Sequence, residues 1–392
     1  MKHAVFVYDP QEQQYLFSNT HPFNPMRLEL TYDLLRQAGA LRPEHLLKPR
    51  MASEEELLWA HSLEYLEAVR ALSREPADPE WVSQAEKFGL GEGDTPFFPG
   101  MHEAASLVAG GSIVAAEAVM SGTSLQALHL GGGLHHALES RGSGFCVYND
   151  AAVAISYMKR RYGARVLYVD TDVHHGDGVQ WSFYSDPEVC TLSIHETGKY
   201  LFPGTGDVTE RGMDQGYGTC YNVPVDPYTE DDSWMECFQE ALDRVIRFYR
   251  PDVIVSQHGC DAHAFDPLAH ICCSMNIYLQ MPLKIQELAG VYCGGRWIAL
   301  GGGGYDIWRV VPRAWSLLWL VMSGNPLIRE LRDHPEARLP DSWIRKWQPY
   351  SAEILPNTWL DRNEEWTAMP RRQEIEQANR KRKELALMYL PK

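Results

Sequence analysis

The chain has 392 residues, 45% of them apolar and 22% charged, which is enough to bury a sizeable core and too apolar for disorder. A net charge of −16 argues against nucleic acid as a partner, because phosphate binding requires basic surface, and suits either plain solubility or attraction of a cationic substrate. No uninterrupted run of ~18 apolar residues is present, so no membrane span is expected.

In chain order, MKHAVFVYDP has a short apolar run with no small-residue cleavage site after it, and reads as a strand over residues 4–8 instead of a signal peptide. RLELTYDLLRQAG reads as a helix, and SEEELLWAHSLEYLEAVRAL as a longer one opened by Ser53 and Glu56 at capping-box spacing. A third helix spans HEAASLVAGGSIVAAEAVMS and leads into a strand over 125–130. The helix AAVAISYMKRRYG then precedes strands over 165–170 and 189–195. DDSWMECFQEALDRVIRFY, a strand over 252–257, MPLKIQELAGVYC and a strand over 296–300 complete the alternation. Strands separated by helices of this length imply βαβ crossovers and a parallel sheet buried on both faces. Beyond residue 325 the composition turns rich in proline and tryptophan and ends in a charged helix, RRQEIEQANRKRKELALMYL. Residues 1–325 are therefore expected to form the main domain, and 326–392 an extension that packs on it or on a second copy of the chain, leaving a homo-oligomer open. Ile375, Ala378, Leu385 and Met388 are expected to form that helix's apolar stripe. The eight cysteines show no C-x-x-C spacing and several lie in apolar segments, so they read as reduced thiols of a cytoplasmic protein, and a cysteine-ligated zinc site is not expected.

Each polar motif follows the C-terminal end of an expected strand: GGGLHHA with His135 and His136, TDVHHGDG, HGCDAHAFDP with Asp261, and GGGGYD with Tyr305. Ligands of open parallel sheets bind at that edge, so four motifs far apart in sequence can meet there. If residues 170–174 are extended, Asp170, Asp172 and His174 share a face, and a divalent cation offsets their mutual repulsion. A catalytic zinc takes three protein ligands and keeps one position open; Asp172 and His174 supply two, and Asp261 is the best-placed third. Taken singly, each signal is weak. D-x-H is usually a polar loop, a His-His pair a surface or satisfied core pair, Asp261 a helix cap, and GGGG a tight turn without the Lys-Ser/Thr of a phosphate loop. Their convergence is what singles out a site.

These motifs, together with HPFNPMRL, GFCVYNDAAVAI and SIHETGKYLFPGTGD, resemble the histone deacetylase family of zinc amidohydrolases over roughly residues 1–325. The resemblance implies the arginase-deacetylase fold, an α/β architecture with an open parallel sheet of about eight strands and helices on both faces. It implies Zn²⁺, or Fe²⁺ in its place, on Asp172, His174 and Asp261. It also implies His135 and His136 beside the catalytic water, oriented by Asp170 and Asp177, with Tyr305 donating to the scissile carbonyl. Phe145 and Phe202 would wall an acyl-lysine tunnel, Leu268 and Asp94 would stand at its rim, and Arg27 would lie below the metal. Asp170, with backbone around Asp172, His174 and Ser193, would hold a structural K⁺. Binuclear hydrolases of this fold carry further aspartates; Gly176 and His263 stand at those positions here, so a single metal is expected and His263 falls to a supporting or rim role.

The activity so implied is hydrolysis of Nε-acetyl-lysine in proteins, and bacterial members of similar length imply metabolic enzymes such as acetyl-CoA synthetase as substrates. One alternative is an acetylpolyamine amidohydrolase of the same superfamily. Another, of a different class, is a catalytically silent binding protein, which is disfavoured because every motif residue is present.

Overall fold

Eight parallel strands make one open sheet in a computed structural model that describes residues 2–362 and 366–391. They are β1 (Lys2–Val7), β2 (Leu46–Leu47), β3 (Ser124–His129), β4 (Val166–Asp170), β5 (Val189–Glu196), β6 (Cys220–Val225), β7 (Val253–Gln257) and β8 (Trp297–Leu300). Their order across the sheet is β2-β1-β3-β8-β7-β4-β5-β6. The last strand in sequence thus lies in the middle, between β3 and β7. Alternate side chains feed two separate cores. Phe6, Leu128, Leu167 and Val169 point to one face, and Val5, Val7, Ala127, Val166 and Tyr168 to the other.

The first face is covered by Met26–Gln37, Asp231–Tyr249, Met275–Tyr292 and Val311–Met322, the second by Leu63–Leu72, Met101–Met120 and Asp150–Tyr162. No membrane span was expected, and among the described residues Met101–Met120 alone is long and apolar enough for one by length and composition. It is mostly buried, packed on β3 and the Asp150–Tyr162 helix, as a core helix is.

Three expectations change. The helix expected from Ser53 breaks into Glu54–Leu57 and Leu63–Leu72. The Ser53–Glu56 capping box forms, but His61 turns inward to bond Leu138 O at 3.0 Å and Asn149 N at 3.0 Å, and Ser62 caps a new helix through Tyr65 N. Tertiary hydrogen bonds override the helical pattern there. β2 and β6 were not foreseen: one has two residues, and the other, CYNVPV, carries Asn222 and Pro224, which is tolerated because β6 is an edge strand.

The C-terminal helix Arg372–Ala386 packs on β6 and Asp231–Tyr249, but not through the expected stripe. Leu385 and Met388 are exposed, whereas Asn379, Lys383, Ala386, Leu387 and Leu390 are buried. Asn379 Oδ1 accepts Asp226 N at 2.8 Å while its Nδ2 donates to Thr229 Oγ1 at 2.8 Å and Ser233 Oγ at 3.0 Å. Lys383 Nζ pairs with Glu236 at 2.8 Å and Glu240 at 2.5 Å. The docking face combines buried Asn379 and Lys383 with Ala386, Leu387 and Leu390 at the helix end, so the expected apolar stripe did not reveal it. Upstream, Trp343 and Trp347 donate to Leu30 O and Asp33 Oδ2, fastening the proline-rich segment to Met26–Gln37.

Candidate metal centre and active site

The pairing register aligns Asp170, Gln257, Leu300 and His129 across neighbouring strands, so the loops after β3, β8, β7 and β4 leave the sheet side by side. Asp172, His174 and Asp261 come together there, all buried, with ligand atoms within 4.8 Å of one another. His174 Nδ1 lies 3.1 Å from Asp172 Oδ1 and 3.0 Å from Asp261 Oδ2. The other oxygens are already committed. Asp172 Oδ2 accepts Gln257 Nε2 and Gly303 N, each at 2.8 Å, and Asp261 Oδ1 accepts Val173 N at 2.9 Å. Two aspartates this deep need a cation, and here the imidazole between them supplies it. Burial opposes charge on His174, but Asp172 and Asp261 outweigh it and push the ring up to about 10. The buried N,O,O donor set fits a divalent metal in place of that proton. Gly303 leaves the space: a Cβ there would fall 2.2 Å from Asp261 Oδ2.

His135 and His136 stand beside this group with ring centroids 4.0 Å apart. His135 Nδ1 donates to Asp170 Oδ2 and His136 Nδ1 to Asp177 Oδ1, both at 2.7 Å. Asp170 is itself held by the Tyr168 hydroxyl at 2.7 Å and Asp172 N at 3.1 Å. Burial disfavours charge on His135, yet Asp170 and Asp172 push it up to about 9. Burial, reinforced by His135, holds His136 down at about 4. Burial, with Asp261 and Asp172, also keeps the Tyr305 phenol well above its ordinary pKa, so it remains a donor.

The remaining expected residues are arranged around these. Phe145 packs edge-on against Tyr305 at 5.7 Å, and Phe202, 42% exposed, against His136 at 5.0 Å. Asp94 is exposed and its Oδ2 accepts Gly144 N at 3.1 Å, next to Phe145. Leu268 is half-buried, and its N–H donates to Asp266. Arg27 is buried, donates to Gly304 O at 3.2 Å and lies over the Phe23 and Trp315 rings. Ser193 is paired in register with Asp170, but its hydroxyl is turned to His195 Nδ1 at 2.8 Å. His263 uses both ring nitrogens elsewhere, accepting Phe265 N and bonding Asp361 Oδ2 at 2.8 Å, so neither faces the group of three.

Sequence reasoning missed Gln257, the last residue of β7, and Asp266, five residues after Asp261. Asp266 accepts Tyr305 N at 2.8 Å and Leu268 N at 3.0 Å, fixing the loop that carries the tyrosine. Burial, then repulsion from Asp261, pushes its carboxyl up to about 8. Its place inside HAFDP was the available signal. It also missed His21, whose ring meets Phe145 edge-on at 4.7 Å.

Residues 21–322 match the profile of the histone deacetylase domain, and the chain belongs to the histone deacetylase family. It is 51% identical over 379 residues to the acetoin utilization protein AcuC of Bacillus subtilis strain 168, covering 97% of this chain and 95% of that one. It is 44% identical over 384 residues to AcuC of Staphylococcus xylosus, covering 98% and 97%. A crystal structure of a histone deacetylase homologue from Aquifex aeolicus superposes with a TM-score of 0.84 at 28% identity, covering 98% of this chain and all of that one. The eight-stranded parallel α/β fold is thus that of the family.

Proposed function

We propose that this chain is a metal-dependent lysine deacetylase, hydrolysing Nε-acetyl-lysine in proteins to lysine and acetate. The observation that carries the reading is the pair of His–Asp couples set against the buried Asp172/His174/Asp261 group. Those three residues would hold Zn²⁺ or Fe²⁺, which supplies Lewis acidity toward the amide carbonyl and the attacking water. His136, neutral at physiological pH, takes the water proton, and Asp177 stabilises the imidazolium that forms. His135, tied to Asp170, orients the water from the other side. The Tyr305 hydroxyl donates to the amide oxygen as negative charge grows on it, and His136 then returns its proton to the leaving lysine amine.

Phe145 and Phe202 sheathe the aliphatic stem of the lysine, Leu268 edges the mouth, Asp94 holds substrate backbone, and Arg27 lies beneath the reacting centre. K⁺ at Asp170 and the backbone of Asp172, His174 and Ser193 stiffens the loop after β4. Residues 1–325 form the catalytic domain and 326–392 its extension. The substrates so proposed are acetylated metabolic enzymes of the cytoplasm, acetyl-CoA synthetase among them, and the AcuC relatives are named for acetoin utilization.

The test is kcat/KM for an acetyl-lysine peptide beside an acetylpolyamine, using zinc-loaded protein, a chelated control and Tyr305→Phe. The peptide is expected to be preferred, chelation to abolish turnover, and Tyr305→Phe to lower kcat roughly 100-fold with metal retained. Preference for the polyamine would overturn the substrate class. Activity on neither would favour a silent binding protein.

A further inference from the structure

A groove of about 950 Å³ is walled on one side by Tyr200 and Tyr228 and on the other by residues 369–382 of the C-terminal extension. Two of its lining residues lie close in the chain to residues of the proposed channel mouth. Tyr200 stands two residues before Phe202, and His270, which also lines the groove, two residues after Leu268. His270 N donates to Glu196 Oε2 at 2.9 Å, four residues before Tyr200, and Tyr228 N donates to His270 O at 2.7 Å, so the lining segments are tied to one another.

We propose that this groove receives the polypeptide that flanks the acetyl-lysine and selects aliphatic or aromatic side chains in it. The inference rests on the deacetylase reading and adds a substrate preference to it. Chain segments that carry both groove and mouth residues make the groove a path for a polypeptide whose lysine is inserted nearby. Its charged lining is already neutralised from within. Arg382 Nη2 pairs with Asp226 Oδ1 at 2.8 Å and Arg371 Nε with Glu374 Oε2 at 2.6 Å. A charged ligand would have to break one of these pairs to gain a counter-ion. An apolar side chain gains burial against Met369, Ile375, Ala378 and the two tyrosines, which are 57% and 49% exposed at Tyr200 and Tyr228. A polyamine, being cationic along its length, finds no unpaired carboxylate among the described lining residues.

The experiment compares kcat/KM for a capped acetyl-lysine without flanks and for two peptide sets, one with leucine or phenylalanine near the acetyl-lysine and one with aspartate or lysine there. Wild type is expected to favour the apolar set by about tenfold. Ile375→Glu and Ala378→Glu, both outside the catalytic machinery, should erase that preference while leaving capped acetyl-lysine turnover unchanged, which also reports that each variant is folded. Equal rates on both peptide sets, or a preference that survives both substitutions, would overturn the groove while leaving the deacetylase reading intact. No turnover of any acetyl-lysine probe would overturn both.

Discussion

Asp170 and Asp177 hold the two histidines by hydrogen bonds of the same length, 2.7 Å, yet the two rings lie on opposite sides of neutrality. The difference lies in the second neighbour. His135 has Asp172 at 3.9 Å, whereas His136 has the cationic His135 beside it. Two imidazolium ions this close would repel, so the pair carries one proton across the neutral range. The base form of His136 is therefore present above about pH 4 and is lost as pH falls through that value. Asp177 raises this pKa, so Asp177→Asn should move the acid limb of kcat/KM to lower pH while reducing kcat roughly 10–100-fold. A pH–rate profile checks it; an acid limb moved upward would remove Asp177 from that role. His174 makes a separate prediction. Its ring is held charged by Asp172 and Asp261 with its folded pKa raised to about 10, so a metal arriving at pH 7 must displace that proton. Calorimetry in buffers of different ionisation enthalpy should find about one proton released per metal bound, with affinity rising as pH rises toward 10.

Among the elements, the C-terminal helix is attached largely through polar groups, and Asn379 is the one at its centre. Asn379 is fully buried and satisfies an N–H and two hydroxyls of the main domain at once. Asn379→Ala leaves Asp226 N and the Ser233 hydroxyl without that partner, while Thr229 Oγ1 keeps its bond to Asp226 O, and a loss of about 2 kcal/mol is expected, read as a lower urea midpoint. An unchanged midpoint would mean that the helix docks without that residue. The same helix shows why parts of the fold were hidden in the sequence. Its seam includes Asn379 and Lys383, residues that a hydrophobic count assigns to solvent. β6 was hidden by Pro224, and the break before Leu63 by hydrogen bonds from His61 to residues far along the chain. Six strands were legible because buried parallel strands are short β-rich runs between helices, with bounds that differ by one or two residues.

At the scale of the molecule, the site was more legible than the tail. Its ligands sit where strands end, and a parallel sheet brings all its strand ends to one edge. Asp172, His174 and Asp261 could be grouped on that rule, and His135 and His136 placed beside them. The residues that fix this group were not legible. Gln257 looks like any strand terminus, and Asp266 gains its meaning from Tyr305 N, which a loop of Gly303 and Gly304 brings to it. The strand order carries one more consequence, for the sequence in which the site is built. β1 to β3 precede the two histidines, β4 to β7 carry the group of three and its neighbours, and β8 lies between the two sets. Without β8 no strand joins the β2-β1-β3 set, which leads to the two histidines, to the β7-β4-β5-β6 set, which leads to the carboxylates. Because β8 lies between the two sets, His135 and His136 meet Asp170, Asp177 and the group of three only with that strand in place, and Tyr305, five residues after it, is placed along with it.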